Sequence, residues 1–95
     1  MQFTSSQLAD VTLAVPVGRI DHTGAPALEQ ALLPLVAAAG TKKGAIVLDF
    51  GGVEYISSVG LRVLMIASKE MRKHGARIVL AAPQGLGKTM VAQNI

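Results

Sequence analysis

The chain has no cysteine and no tryptophan, and aromatic residues make up only 3% of its 95 residues. Without cysteine, the protein cannot form disulfide bonds, bind zinc through thiolates or use a thiol nucleophile. Aromatic side chains are too few to stack on the bases of a nucleic acid. The net charge of +3 is mild, and the basic residues are more typical of a solvated helix end than of a nucleic-acid site. We therefore expect no nucleic-acid partner.

The chain also lacks a long hydrophobic run. Pro34, Gly40 and the pair Lys42-Lys43 interrupt the longest apolar stretch, so no segment is long enough to span a bilayer. The first residues, Met-Gln-Phe-Thr, lack the basic and apolar regions of a secretory signal. The sequence therefore predicts a cytoplasmic protein without a membrane partner.

Hydrophobic residues, mainly aliphatic, make up 51% of the chain, which suits the core of a small α/β domain. Their spacing predicts the order β-β-α-β-α-β-α in a single domain over residues 1–95. Strands are predicted at residues 3–7, 11–17, 45–49 and 77–81. Three helices are predicted: one that ends at Gly40, one from about Ser58 to His74, and a short last one around residues 86–91. This order implies a small four-stranded sheet, mixed but mostly parallel, packed with helices, whose first two strands form an antiparallel hairpin.

The most informative segment runs from Ala45 to Met65 and has the sequence AIVLDFGGVEYISSVGLRVLM. Its first residues have the pattern of a buried strand that ends at Asp49, and two glycines then allow a turn. A brief apolar segment leads to Ser57-Ser58, immediately before helical spacing begins. A serine at a helix start can accept a hydrogen bond from a free backbone N–H group of the first turn. The same N–H groups and the helix dipole favour a phosphate at this position.

This segment resembles the signature of the STAS domain family, which includes the anti-sigma factor antagonists of bacterial partner-switching systems. The family pattern combines an acidic residue at a strand end, a turn of small residues, an aromatic–aliphatic pair, and then Asp-Ser-Ser/Thr-Gly-Leu or Ser-Ser-Ala-Gly-Leu. The corresponding residues here are Asp49, Gly51-Gly52-Val53, Tyr55-Ile56 and Ser57-Ser58-Val59-Gly60-Leu61-Arg62. The serine that is phosphorylated in the family corresponds to Ser58. Ser57 takes a position that is Asp in many members, and Val59 takes one that is often Ser, Thr or Ala.

The resemblance implies a STAS-like fold and a protein that binds rather than catalyses. It implies that the unphosphorylated form binds a serine kinase/anti-sigma factor with a histidine-kinase-type ATPase fold, and so releases a sigma factor or another client. The kinase would inactivate the protein by phosphorylating Ser58, and a metal-dependent PP2C-like phosphatase would restore it. No cofactor is expected.

The helix that follows the serine pair has two apolar sides. We expect one side to lie against the sheet, and it consists of Leu61, Leu64, Met65, Ser68 and Met71. The opposite side carries Val59, Val63 and Ile66 at helical spacing, flanked by Arg62, Lys69 and Lys73. Either a neighbouring helix covers this second side, or it forms part of a docking surface beside Ser58. In the second interpretation the partner-binding residues are Val59, Gly60, Arg62, Val63 and Ile66.

Two carboxylates come at predicted strand ends, the edge where a parallel sheet usually binds ligands. Asp21 follows the second strand and Asp49 ends the third. They could form an acid/base pair near Ser58, but capping of nearby backbone N–H groups is the interpretation that we favour. The family resemblance implies that Asp21 helps the kinase reaction. His22 and His74 have no second His or Cys at ligand spacing, so no metal site is expected.

A second motif occurs near the C-terminal end. Residues 82–89, Ala-Pro-Gln-Gly-Leu-Gly-Lys-Thr, resemble a phosphate-binding loop after an apolar strand. Such a loop needs a long following helix and later strands, and only six residues remain. Two alternatives to the phosphorylation switch thus stay open. One is a non-switching STAS scaffold subunit in which Ser57-Ser58 only cap the helix, and the other is a nucleotide-binding fragment that uses Gly87, Lys88 and Thr89.

Overall fold

The structure of the protein is a computed structural model that describes residues 1–84 and 89–95. Within those residues the chain forms six strands and two helices. The strands are β1 (Gln2–Leu8), β2 (Val11–Ile20), β3 (Ala45–Asp49), β4 (Val53–Ile56), β5 (Arg77–Gln84) and β6 (Thr89–Asn94). The helices are α1 (Gly24–Lys42) and α2 (Ser58–Lys73). Neither helix is both long and apolar enough to cross a membrane within the described part of the chain.

The strands form one mixed sheet in the order β1-β2-β3-β5-β6, with β4 paired to β2 beside this path. The pairs β2/β3, β3/β5 and β2/β4 are parallel, and the pairs β1/β2 and β5/β6 are antiparallel. The α/β class and the antiparallel first hairpin are therefore confirmed. Two helical crossovers connect the parallel strands, as the alternating order predicts.

The ten-residue strand β2 connects the two parts of the sheet. Its first half pairs with β3, and residues 18–20 pair with β4 after a register shift at Gly18. Gly18 has a φ of +103° and donates its backbone N–H to the Gly52 carbonyl at 2.9 Å. Only glycine adopts this φ readily, so Gly18 lets one strand change partners. This pairing brings the ends of β2 and β4 together, which is where the serine pair follows.

The core lies between the sheet and the two helices. Alternate strand residues such as Ala14, Ile46 and Ile78 are at most 1% exposed, as are Leu28 and Leu32 of α1. The helix α1 packs against α2, β2 and β3, and α2 also contacts β4 and β5. Apolar residues recur at every second position in the strands and at every third or fourth position in the helices. Their side chains therefore lie on one face of each element and pack into one shared core.

Two elements at the edge of the sheet correct the predicted order. The segment Val53–Ile56, expected only as a brief apolar segment before the serine pair, is the strand β4. Of the residues predicted as a last helix, Leu86 lies outside the described residues, and Met90 and Val91 belong to β6, which pairs antiparallel with β5. The sheet therefore has six strands rather than four among the described residues. Tertiary contacts explain why the last segment is a strand and not a helix. The strand β5 continues to Gln84 and offers an edge for pairing. Pairing to that edge outweighs the weak helical pattern of the residues that follow.

Candidate functional site

The two serines at the start of α2 have different roles. Ser57 is the N-cap: it is 3% exposed, and its Oγ accepts a hydrogen bond from the Gly60 backbone N–H at 3.2 Å. Its own N–H donates to the Ile20 carbonyl at 2.8 Å, which ties the helix start to the end of β2. Ser58 is the first helical residue and is exposed. Its hydroxyl forms no hydrogen bond with any of the described residues, so Ser57 alone satisfies the capping requirement.

Gly60 holds the first turn of α2 close to the sheet. A Cβ at this position would lie 2.8 Å from both Ile20 Cγ2 and Ile56 Cγ1, closer than carbon atoms pack. The glycine therefore lets the helix begin directly over the paired ends of β2 and β4. Gly60 is buried, and this corrects the expectation that it contacts a partner. Its role is to position Ser58 at the surface.

Asp21 and Asp49 bind backbone N–H groups of their own loops, as the capping interpretation predicted. Asp21 Oδ1 accepts hydrogen bonds from the Thr23 hydroxyl at 2.7 Å and from the backbone N–H groups of Thr23 and Gly24 at 3.1 and 2.9 Å. Asp49 Oδ1 accepts one from the Gly51 N–H at 2.8 Å. The Thr23 hydroxyl, followed by the Gly24 N–H, lowers the pKa of the Asp21 carboxyl below its ordinary value.

Asp21 nevertheless lies on the same side of the fold as the serine pair. It directly follows Ile20, whose carbonyl binds the Ser57 N–H and whose strand neighbour is Ile56. Both Asp21 and Ser58 therefore leave the sheet from adjacent strand ends. The lowered pKa of Asp21 favours the ionised form of its carboxyl. No three of the His, Cys, Asp and Glu residues within the described ranges group into a metal site.

The orientation of α2 differs from the predicted one. Its buried stripe contains Gly60, Val63, Leu64, Ala67, Ser68 and Met71. Leu61 and Met65, which we expected against the sheet, are 48% and 70% exposed. Val63, which we expected at a docking surface, is 6% exposed and belongs to the core. The helix contacts α1 as well as the sheet, so its buried arc is wide enough to include Val63.

The residues that remain outside form an apolar surface next to Ser58. Val59 and Ile66 are 41% and 48% exposed, and Arg62 is exposed between them. We define the α2 surface as Ser58, Val59, Leu61, Arg62, Met65 and Ile66. Four of these six side chains are apolar. A contiguous exposed apolar patch of this kind is characteristic of an interaction site, and the serine lies at one end of it.

A cation–π pair lies on the paired ends of β2 and β4. The Arg19 guanidinium carbon is 4.6 Å from the centroid of the Tyr55 ring. The two residues are register partners in the parallel pair β2/β4, and Tyr55 is 45% exposed. The sequence pattern did not indicate this pair, because it depends on a strand pairing between residues far apart in the chain.

The phosphate-binding motif predicted at residues 82–89 lies only partly within the described residues. Gly87 and Lys88 lie outside the described residues. Thr89 opens strand β6, whereas the motif requires a helix immediately after its Lys-Thr pair. The context of a nucleotide-binding loop is therefore missing from the described C-terminal residues.

The described residues thus form a mixed sheet with two helices, and an exposed serine begins α2 over two strand ends. The family model described as "Mlab, STAS domain" matches residues 3–94, so this chain belongs to the STAS domain family. The resemblance found in the sequence is thereby confirmed.

Three relatives specify the similarity further. BtrV of Bordetella bronchiseptica, classed as an anti-sigma factor antagonist, is 34% identical over 82 residues, which are 84% of this chain and 66% of BtrV. An anti-sigma factor antagonist from Mycobacterium paratuberculosis is 31% identical with a TM-score of 0.68, over 86% of this chain and 68% of that one. The anti-sigma factor antagonist SpoIIAA, in its unphosphorylated form, is 16% identical with a TM-score of 0.70, over 88% of this chain and 76% of SpoIIAA. The last similarity concerns the fold alone. The chain spans 66% of the length of BtrV.

Proposed function

We propose that this protein is an anti-sigma factor antagonist that is switched by phosphorylation of Ser58. In the unphosphorylated form it binds a serine kinase/anti-sigma factor with a histidine-kinase-type ATPase fold, which then releases its sigma factor or another client. That kinase inactivates the protein at Ser58, and a PP2C-like phosphatase restores it. The protein itself acts in the cytoplasm by binding and not by catalysis.

The observation that carries the proposal is the division of roles between the two serines. Ser57 Oγ accepts the Gly60 N–H, so the cap does not need Ser58. The Ser58 side chain is exposed at the first helical position, where a kinase can reach it. Helix N–H groups and the helix dipole favour a phosphate there. The first turn also contains no acidic residue that would repel it.

A phosphate at Ser58 would act on the partner rather than on the fold. It adds roughly −1.5 to −2 charges at pH 7, at the edge of the α2 surface. A partner that covers Val59, Leu61 and Ile66 would then have to desolvate a dianion. A loss of about 1.4 kcal/mol lowers affinity tenfold, so a modest penalty suffices for release. The exposed contact residues in this proposal are Val59, Arg62 and Ile66, together with Leu61 and Met65.

The relatives support the proposal at the level of the class. BtrV and the Mycobacterium paratuberculosis protein are anti-sigma factor antagonists by name, and SpoIIAA exists in unphosphorylated and phosphorylated forms. Within the same proposal, Asp21 is the helper carboxylate of the kinase reaction, because it leaves the sheet beside the serine pair. Hydrogen bonds to Thr23 and Gly24 fix the position of the Asp21 carboxylate. From this position Asp21 orients the approaching kinase.

Incubation with the cognate kinase and ATP, followed by intact mass measurement and peptide mapping, tests the proposal. The wild-type protein should gain one phosphate on the peptide that contains Ser58. Ser58→Ala should gain none, while Ser57→Thr, which keeps a capping hydroxyl, should still gain one. No mass gain in the wild type would instead favour the non-switching scaffold. A phosphate that persists in Ser58→Ala would show that another residue is the acceptor.

A further inference from the structure

A groove of about 640 Å³ runs along the exposed side of α2, between the helix, strand β5 and Ile95. Leu64, Leu80 and Ile95 line its inner part, and Leu61 and Met65 form its outer wall. The groove is thus almost entirely apolar in its interior. Ile95 is held in place because its carbonyl accepts a hydrogen bond from the buried Ser68 hydroxyl and its N–H donates to the Ile78 carbonyl.

The charged residues that line this groove are all cationic: Arg62, Lys69 and Arg72. None of the three forms a salt bridge with the described residues, where the ion pairs involve Glu70 instead. Arg62 is exposed and lies beyond the first turn of α2. Its guanidinium is therefore accessible to an external anionic group.

The three cations share one helix face with the switch residue. Positions 58, 62, 65, 69 and 72 are separated by three or four residues, so they form a single stripe along α2. Arg62 and Arg72 are ten positions apart, which corresponds to about 15 Å along a helix. A second helix lying beside α2 presents side chains at the same intervals. The cationic residues of the groove and Ser58 thus lie along the same face of α2.

We propose that this groove binds an amphipathic helix of the protein partner, with apolar side chains over Leu61 and Met65 and carboxylates paired with Arg62, Lys69 and Arg72. This inference rests on the proposed function, since it names the chemistry of the partner segment that Ser58 controls. An apolar interior with a cationic rim suits such a helix better than a nucleic acid, which needs aromatic or phosphate-tracking contacts along its length. Carboxylate–guanidinium pairs also fix the register of the bound helix.

The same geometry explains how one phosphate would expel the segment. A phosphoserine at position 58 lies four residues before Arg62 and on the same face, within reach of its guanidinium. It would compete for Arg62 with the partner's carboxylates and repel them at the same time. An acidic helix is therefore the kind of occupant that a phosphate removes most effectively.

The test uses the full chain and a displayed library of 16-residue helical peptides with randomised charged and apolar positions. Selected peptides should carry Asp or Glu beside Leu, Ile or Met at three- and four-residue spacing. Their affinity, measured by fluorescence anisotropy, should fall at least tenfold in the double variant Lys69→Glu/Arg72→Glu. The matched control Lys42→Glu/Arg77→Glu has the same net charge at exposed positions outside the groove and should change affinity less than twofold. Thermal unfolding of both variants shows that they are folded.

Three outcomes would overturn the proposal: selected peptides without acidic residues, equal losses in both double variants, or tighter binding of a 12-nucleotide single strand than of any peptide. A further arm separates the groove from the switch, using protein that carries phosphoserine at position 58. A tenfold loss of peptide affinity in the phosphoserine protein supports both the docking site and the proposed switch. If phosphoserine has no effect while Lys69→Glu/Arg72→Glu still weakens binding, the docking site stands and the proposed switch fails.

Discussion

Replacing each serine of the pair separately by alanine should give unequal stability effects. Ser57→Ala removes the hydroxyl that accepts the Gly60 N–H at 3.2 Å. Loss of an N-cap costs about 1 kcal/mol, with a range of roughly 0.5–2, and the burial of Ser57 at 3% exposure favours the upper half, because the N–H is left without a water partner. Ser58→Ala removes an exposed hydroxyl at the first helical position, so its effect should stay within about 0.5 kcal/mol.

Urea unfolding monitored by circular dichroism measures both free energies, and thermal unfolding gives an independent check. In a domain of this size, 1 kcal/mol corresponds to a Tm change of roughly 4–8 °C. Ser57→Ala should therefore melt several degrees below the wild type, while Ser58→Ala melts close to it. Equal destabilisation by the two substitutions, or a larger effect from Ser58→Ala, would refute the assignment of the cap to Ser57 and of the free hydroxyl to Ser58.

Four further substitutions test the surroundings of the site. Met71→Ala should cost about 2–5 kcal/mol because its side chain is fully buried, whereas Met65→Ala should cost less than about 0.5; similar costs in urea unfolding would contradict the orientation of α2. Gly60→Ala should destabilise by about 1–3 kcal/mol through overpacking against two isoleucines, although alanine is the better helix former, and a neutral effect would disprove the close approach. Hydrogen bonds lower the pKa of Asp21, so its contribution to stability is present above its unfolded pKa of about 3.9 and is lost as the pH falls through the lower folded value. Stabilities of the wild type and Asp21→Asn measured from neutral to acid pH should therefore converge at the acid end, and a constant difference would contradict this.

Local sequence signals predicted the elements that depend on local chemistry. The strand β3 at Ala45–Asp49 has the predicted bounds, because a continuous apolar run ends at a carboxylate and two glycines. The helix α2 ends at Lys73, one residue before the predicted end, and Gly75 with a φ of +72° follows it. The carboxylate and glycines after the strand, and the glycine after the helix, each act on backbone that is only a few residues away.

Elements that depend on distant partners could not be predicted in the same way. The strand β4 has only four residues, too few for a period of two to be recognised, and it is a strand because β2 continues past β3. Likewise β6 is defined by its pairing with β5. The burial of Val63 also depends on the neighbouring helix. A signal was present nevertheless: Gly60 and Ala67, seven residues apart, are small residues that allow close helix packing and mark the centre of the buried stripe.

For the site, the family signature pointed to the serine pair, but the roles within the pair required coordinates. Which serine caps the helix depends on whether the first helical residue is 58 or 59, and a one-residue difference lies within the usual uncertainty of helix boundaries. The exposure of Leu61 and Met65 likewise follows from the rotation of α2 about its axis. The α2 surface is therefore more apolar than the sequence indicated.

The most direct test of the central claim is the affinity of the partner kinase for the protein with and without phosphoserine at position 58. Titration calorimetry with a kinase whose catalytic activity has been removed would keep the phosphorylation state fixed. We expect phosphoserine to weaken binding at least tenfold, or by about 1.4 kcal/mol, with no loss of thermal stability. Equal affinities of the two forms would contradict the account.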